Sequence, residues 1–145
     1  MSQENVEMVR LLQPAPDVDL AQLFRNDDVW AATLEGLSYL LHPDFECVQS
    51  WIGAEPTNYP GVDGLREAWL DWLTPWATYR TEIQDVIDCG ERVLVLVLDF
   101  GRREGTADEI KLFGSAVWTV RDGKIAHVQF YPDRDEALRA VGLEE

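Results

Sequence analysis

The sequence predicts an α+β domain: a curved antiparallel sheet with helices on its concave face. Three features carry that prediction. Asp122-Gly123 separates two β-rich runs, GSAVWTV and IAHVQFY, and Asp-Gly supplies the two positive-φ residues of a type I′ hairpin. The run Val93 to Leu98 is apolar without alternation, so neither side of that strand is left to water. Before the first strand, apolar residues recur at helical spacing.

Taken in order, Ser2 caps a helix through Val6, Val9 and Leu12, which Pro14 and Pro16 end. Asp17 or Asp19 opens a short helix through Leu20, Leu23 and Phe24. Asn26 caps a third, whose stripe is Trp30, Leu34, Leu37, Leu40 and Leu41. His42-Pro43-Asp44 breaks it, and Phe45 to Trp51 reads as the first strand. Gly53 to Gly61 reads as a loop forming a rim or flap. Asp63 caps a helix from Gly64 to about Trp76, with Leu65, Trp69, Trp72 and Trp76 on nearly one side, as a core or pocket wall. Tyr79 to Cys89 is a strand that Gly90-Glu91 turns into the apolar run, Arg102 to Glu109 is a polar hairpin loop, and Asp133 to Gly142 forms a closing helix capped by Asp133.

Counting outward from the Asp-Gly turn sets Trp118 opposite His127 and Ser115 opposite Phe130. One face then carries Ser115, Val117, Val128 and Phe130, and the other Trp118, His127, Gln129 and Tyr131. Helices of this chain can cover one face, and a second copy of the sheet is the economical cover for the other, so a homodimer is expected.

Composition excludes several function classes. The 145 residues suit a single domain spanning 1–145, and the net charge of -15 argues against nucleic acid and anionic membrane surfaces. Cys47 and Cys89 are far apart and read as small buried hydrophobes. No apolar run approaches the ~20 residues of a membrane span and the N-terminus has no signal-like core, so a reducing cytoplasm is the expected location. His42 and His127 are the only histidines, and no carboxylate spacing is of metal-ligand type, so no metal is expected. Neither a nucleophile elbow nor a phosphate-cradling glycine loop is present, and no cofactor is expected.

The order of elements, with HPDFE before the first strand, YPGVDGLREAW at the fourth helix, VWTVRDGKIAHVQFYPD at the last hairpin and a closing EALRAVGL, resembles the nuclear transport factor 2-like superfamily. The resemblance is to its SnoaL-like branch, related to polyketide cyclases and ketosteroid isomerase, and covers nearly all of the chain except the extra segment 13–24. It implies a cone-shaped, cystatin-like sheet and a pocket between the concave face and the helices. By that resemblance Leu96, Leu98, Phe100, Ser115, Val117, Val128 and Phe130 face the pocket, with Val95, Val97, Asp99, Trp118, His127 and Gln129 toward a partner subunit. Gln49, Ser115 and Tyr59 would be polar contacts of a small apolar ligand, beside Trp72 or Trp76.

Ketosteroid isomerase needs an Asp base, and the resemblance puts Gln49, an amide, in its place and Ser115 where an oxyanion-holding Asp would stand. Asp133 falls near the acid or base of the SnoaL-type cyclases, but a helix cap explains it too. Asp44 at the mouth of the first strand is either a catalytic acid or a turn residue. His127 titrates near neutrality but is set on the dimer face, as is Asp99, whose burial calls for a partner. If the faces were reversed, an Asp99–His127 pair in the cavity would lead. Two functions follow: a small-molecule-binding domain without turnover, or a cofactor-independent acid/base enzyme of isomerase, cyclase, dehydratase or epoxide-hydrolase type.

Overall fold

The computed structural model describes residues 2–51 and 54–143; the cap expected at the Ser2 side chain and the start of the loop at Gly53 lie outside the described residues. The chain is α+β, with α1 (Ser2–Leu12), α2 (Leu20–Arg25), α3 (Asp27–Leu37), a 3-10 turn Ser38–Leu40, β1 (Leu41–Trp51), β2 (Ala54–Pro60), α4 (Gly61–Leu73), β3 (Trp76–Cys89), β4 (Arg92–Arg103), β5 (Glu109–Arg121), β6 (Lys124–Tyr131) and α5 (Arg134–Ala140). The six strands form one mixed sheet in the order β2-β1-β6-β5-β4-β3, with β1 and β6 parallel and every other pair antiparallel.

Local chemistry sets the ends of the elements. Asp19 Oδ1 caps α2 through Ala21 N at 3.0 Å and also accepts Tyr79 N at 3.1 Å, tying the helix to edge strand β3. Asn26 Oδ1 accepts the amides of Asp28 and Val29 at the start of α3. Asp133 caps α5 through Asp135 N at 2.9 Å, and Gly142, at φ 78, ends it with Leu143 N bonded to Leu138 O. Asp122 and Gly123 have φ 56 and 75, the pair of left-handed residues that the β5–β6 turn requires.

Elements depart from expectation at three places. Helix α3 stops at Leu37, so Leu40 falls in the 3-10 turn and Leu41, expected on the helix stripe, opens β1 ahead of Phe45. Residues 54–60 are not a loop but strand β2, whose backbone pairs with β1 from Glu46↔Pro60 to Gln49↔Thr57. The alternation of Ala54, Pro56, Asn58 with Glu55, Thr57, Tyr59 is too polar to read as a strand because only Tyr59 is buried. Helix α4 begins at Gly61 with Pro60 as its cap residue, so Asp63 sits inside the first turn, and it stops at Leu73. Trp76 therefore opens β3, where Gly101 of β4 leaves room for its ring: a Cβ on Gly101 would lie 2.5 Å from Trp76 Cε3.

Helices α1 to α4 cover one face of the sheet, burying Val9, Leu20, Phe24, Leu65 and Leu73 with Phe45, Cys47, Val93, Val95, Trp118 and Val128 of the strands. On the opposite face α5 buries Ala137 against Leu94 and Val117. The unalternating run of β4 thus has a physical cause: Val93 and Val95 lie under the helices and Leu94 under α5.

Counting from the Asp-Gly turn fails after one pair. Val120↔Ile125 is followed by Thr119↔His127, so Ala126 is an extra residue, a bulge. Beyond it Trp118 pairs Val128, Ala116 pairs Phe130 and Ser115 pairs Tyr131. Since opposite residues share a face, β5 turns over relative to β6, and β4 follows through Leu96↔Ser115 and Val95↔Ala116. Val128 and Phe130 face the helices as expected. Leu96, Leu98, Phe100, Ser115 and Val117 belong to the opposite, outer face, and Val95, Val97, Asp99 and Trp118 to the inner one.

Candidate functional site

Between the inner sheet face and the helices lies a cavity of about 380 Å³, within the range of small-molecule sites. Its walls are mainly apolar. Trp69 and Trp72 enter from α4, one turn apart, with Leu20, Leu23 and Phe24 of α2 and Trp30 and Leu34 of α3; the sheet contributes Val95, Val97, Ala116, Trp118 and Phe130. Trp69 anchors the aromatic wall, stacked on Phe24 at 5.2 Å between ring centroids and edge-on to Tyr79 and Phe130. Leu12, Gln13 and Pro14 at the end of α1 line it as well, so with Leu20, Leu23 and Phe24 the extra segment 13–24 contributes to the cavity wall.

One ionisable carboxylate lines this cavity. Asp99 is 7% exposed, its Oδ2 accepts the Tyr79 hydroxyl at 2.6 Å, and its Oδ1 accepts Thr81 Oγ1 at 2.5 Å. Tyr79 and Thr81 are two residues apart on β3, hence on one face, and Thr81 pairs Asp99 directly. Burial pushes the Asp99 carboxyl up from its ordinary value, opposed by the two hydroxyl donors and by Arg134. Burial likewise raises the Tyr79 phenol, with the Asp99 charge adding to it. A neutral Tyr79 is therefore the donor and Asp99 the group that can change its proton count. Gly114 opposes Val97 beside it; a Cβ there would stand 3.0 Å from Val97 Cγ2 and 3.4 Å from Asp99 Oδ2. The missing side chain keeps the approach to the carboxylate open.

Gln49 of β1 also lines the cavity, 6% exposed, its amide nitrogen donating to Ser50 O at 3.2 Å. Ser115 borders the cavity, but its hydroxyl donates to Tyr131 O at 2.9 Å, which reflects its outward side-chain direction.

The remaining sequence candidates lie elsewhere. Tyr59 packs between β2 and α4 with its hydroxyl on Asp71 Oδ2 at 2.6 Å, outside the cavity wall. Trp76 is outside it too, because it belongs to β3 and not to α4. Val128 is fully buried in the core beneath the wall. Phe100 carries the Arg80 guanidinium 3.9 Å from its ring centre, and Arg80 is bound in turn by Glu82 and Glu109. His127 lies on the outer face 3.8 Å from Glu46, and burial lowers its pKa against the pull of that carboxylate. It and Asp99 are on opposite sides of the sheet, so the bulge that turns Asp99 inward separates the pair considered above. Asp133 is a helix cap, and Asp44 is exposed with its backbone amide on His42 Nδ1. Cys47 is buried and its thiol is pushed up to about 12, the state of an unreactive core residue.

A curved sheet with helices over one face, enclosing an apolar cavity with a buried carboxylate, defines a cystatin-like α+β class of protein. A family model described as the SnoaL-like domain matches residues 21–128, and the chain belongs to that family. Among solved structures it resembles TerC co-crystallised with polyporic acid (TM-score 0.63, 21% identity, 95% of this chain and 98% of that one). A SnoaL-like polyketide cyclase from Jannaschia sp. CCS1 superposes at TM-score 0.62 with 15% identity over 99% of this chain and 95% of the other. A phenazine biosynthesis-related protein from Pseudomonas aeruginosa does so at 0.60 with 16% identity over 99% and 84%. At these identities the likeness is one of fold. No curated protein sequence matches the chain.

Proposed function

We propose that the cavity binds a small, mainly apolar, oxygen-bearing molecule and that Asp99 exchanges a proton with it, making the protein a cofactor-independent acid/base enzyme of the isomerase, cyclase or dehydratase kind. The observation that carries this reading is the buried carboxylate in an apolar wall, held by two hydroxyl donors and raised by burial above its ordinary value. Protonated, Asp99 donates to a carbonyl or leaving oxygen; ionised, it removes a proton from carbon or hydroxyl. Tyr79 and Thr81 are positioning residues, each fixing one carboxylate oxygen while leaving it a second lone pair for the substrate. The aromatic wall supplies the apolar contact that orients a ring system and excludes water. Relatives in fold that were crystallised with polyporic acid or are described as a polyketide cyclase are consistent with an oxygenated substrate.

Native mass spectrometry of the purified protein, followed by assay of any retained molecule for conversion, tests the reading. Conversion that Asp99→Asn abolishes while the molecule still binds supports it. Binding with no conversion by the wild type returns the protein to a binding domain, and conversion undiminished in Asp99→Asn removes Asp99 from the chemistry.

The homodimer is proposed through the outer face, now with different residues. Leu96, Leu98 and Phe100 are half-buried there, Phe113 is 58% exposed, and His127 and Gln129 lie on the same side. A second copy, meeting the same patch across a two-fold axis, is the economical cover.

A further inference from the structure

We infer that the ligand is read at two poles, by Asp99 at one and Gln49 at the other, and that it therefore carries polar groups at both ends of an apolar frame, with a hydrogen-bond donor at the Gln49 end. This rests on the cavity being a ligand site as proposed above.

Gln49 and Asp99 both line the one cavity, and they are far apart in the sheet. Gln49 pairs Phe130, Phe130 pairs Ala116, Ala116 pairs Val95, and Asp99 lies four residues farther along β4. The two polar side chains stand three strands apart and diagonally opposed, and the floor between them is Phe130, Ala116 and Val97, without a polar side chain. A ligand that satisfies one pole with a single polar group leaves the other unmet.

Gln49 is more than nine-tenths buried, yet its amide is half used. The nitrogen donates to Ser50 O, and no donor among the described residues meets Oε1. The buried side-chain atoms left without a partner among the described residues are Trp118 Nε1 and Arg134 Nε; Gln49 Oε1 is not one of them and instead opens on the cavity, where a ligand or water can supply its donor. The neighbouring Ser50 hydroxyl accepts from Gln129 Nε2 at 2.9 Å on the outer face, so it does not serve. A ligand hydroxyl or N–H completes the site. Asp99 in contrast already receives two hydrogen bonds; ionised, it can accept a further one from a ligand hydroxyl, and protonated, it can donate to a carbonyl.

The test uses calorimetric titration of the full chain with para,para′-diols of biphenyl and stilbene and of the corresponding mono-alcohols. The diols are expected to bind roughly three- to tenfold more tightly than the mono-alcohols, the worth of one net hydrogen bond. That gap should vanish in Gln49→Met, with Gln49→Leu as a second variant should the first fail to fold. Equal binding of diol and mono-alcohol by the wild type, or a gap that survives loss of the amide, overturns the two-pole inference and leaves the cavity reading standing. No binding of any probe in either series overturns both.

Discussion

Tyr79 donates its hydroxyl to Asp99 Oδ2 at 2.6 Å inside a wall of tryptophan and leucine, and that bond, with the one from Thr81, is what allows a carboxylate to stand there. Without donors, burial of the charged form would cost several kcal/mol.

Tyr79→Phe removes one donor and keeps the ring contacts with Trp69, Trp72 and Trp76. We expect a loss of about 1–3 kcal/mol at neutral pH, measured by urea unfolding, because a buried charged acceptor loses a partner. At a pH where Asp99 is protonated the loss should shrink.

The raised Asp99 pKa gives stability a definite pH dependence. Its folded value lies above its unfolded value of 3.8, so in the window between them the folded state holds the extra proton and stability falls as pH rises. The contribution is fully present below pH 3.8 and is lost as pH rises through the folded value. In Asp99→Asn this fall should be absent, so the wild-type minus variant difference in unfolding free energy should decline with rising pH; a difference that is flat or rises contradicts the shift.

Two glycine substitutions should separate packing from access. Gly101→Ala would drive a methyl into the Trp76 ring, whose Cε3 would be 2.5 Å away, and we expect about 1–3 kcal/mol of destabilisation in thermal or urea unfolding. Gly114→Ala meets Val97 and Asp99 at 3.0 and 3.4 Å; it should change stability less and weaken ligand binding more, read by calorimetry with the diol probes.

Phe113→Glu should convert a dimer to a monomer in sedimentation velocity, since Phe113, which also borders the cavity, is 58% exposed on the face proposed to meet a second copy. An unchanged sedimentation coefficient moves the interface elsewhere.

Much of the fold was legible because local signals agree with the global structure. The Asp122-Gly123 turn, the caps at Asp19, Asn26 and Asp133, and the apolar run of β4 each follow from one residue's chemistry. Family membership and an α+β sheet with helices on its face followed too. The site was harder to read, because a sheet's two faces differ by a single residue of register. One bulge, at Ala126, turned β5 and β4 over and moved Trp118 and Asp99 from the expected outer face to the cavity. Nothing in Ile125-Ala126-His127 announces it: all three suit a regular strand. A second bulge acts at the site itself. Counting outward from Gly90-Glu91 sets Asp99 opposite Glu82, a like-charge pair; the slip between Ile83 and Asp85 brings Thr81 there instead. That predicted repulsion was the available signal for a bulge in β3, and with it Tyr79 and Thr81 would have been visible as partners of Asp99.

The protonation of Asp99 is the most direct test of the account. Carboxyl carbon chemical shifts followed by NMR across pH, with Asp99 assigned through Asp99→Asn, should show its midpoint above 3.8, the ordinary value for an aspartate. They should show a further change when a diol probe is bound. A midpoint at or below 3.8 that no ligand moves would mean a solvated or fully paired carboxylate, and would contradict a proton-exchanging group in an apolar cavity.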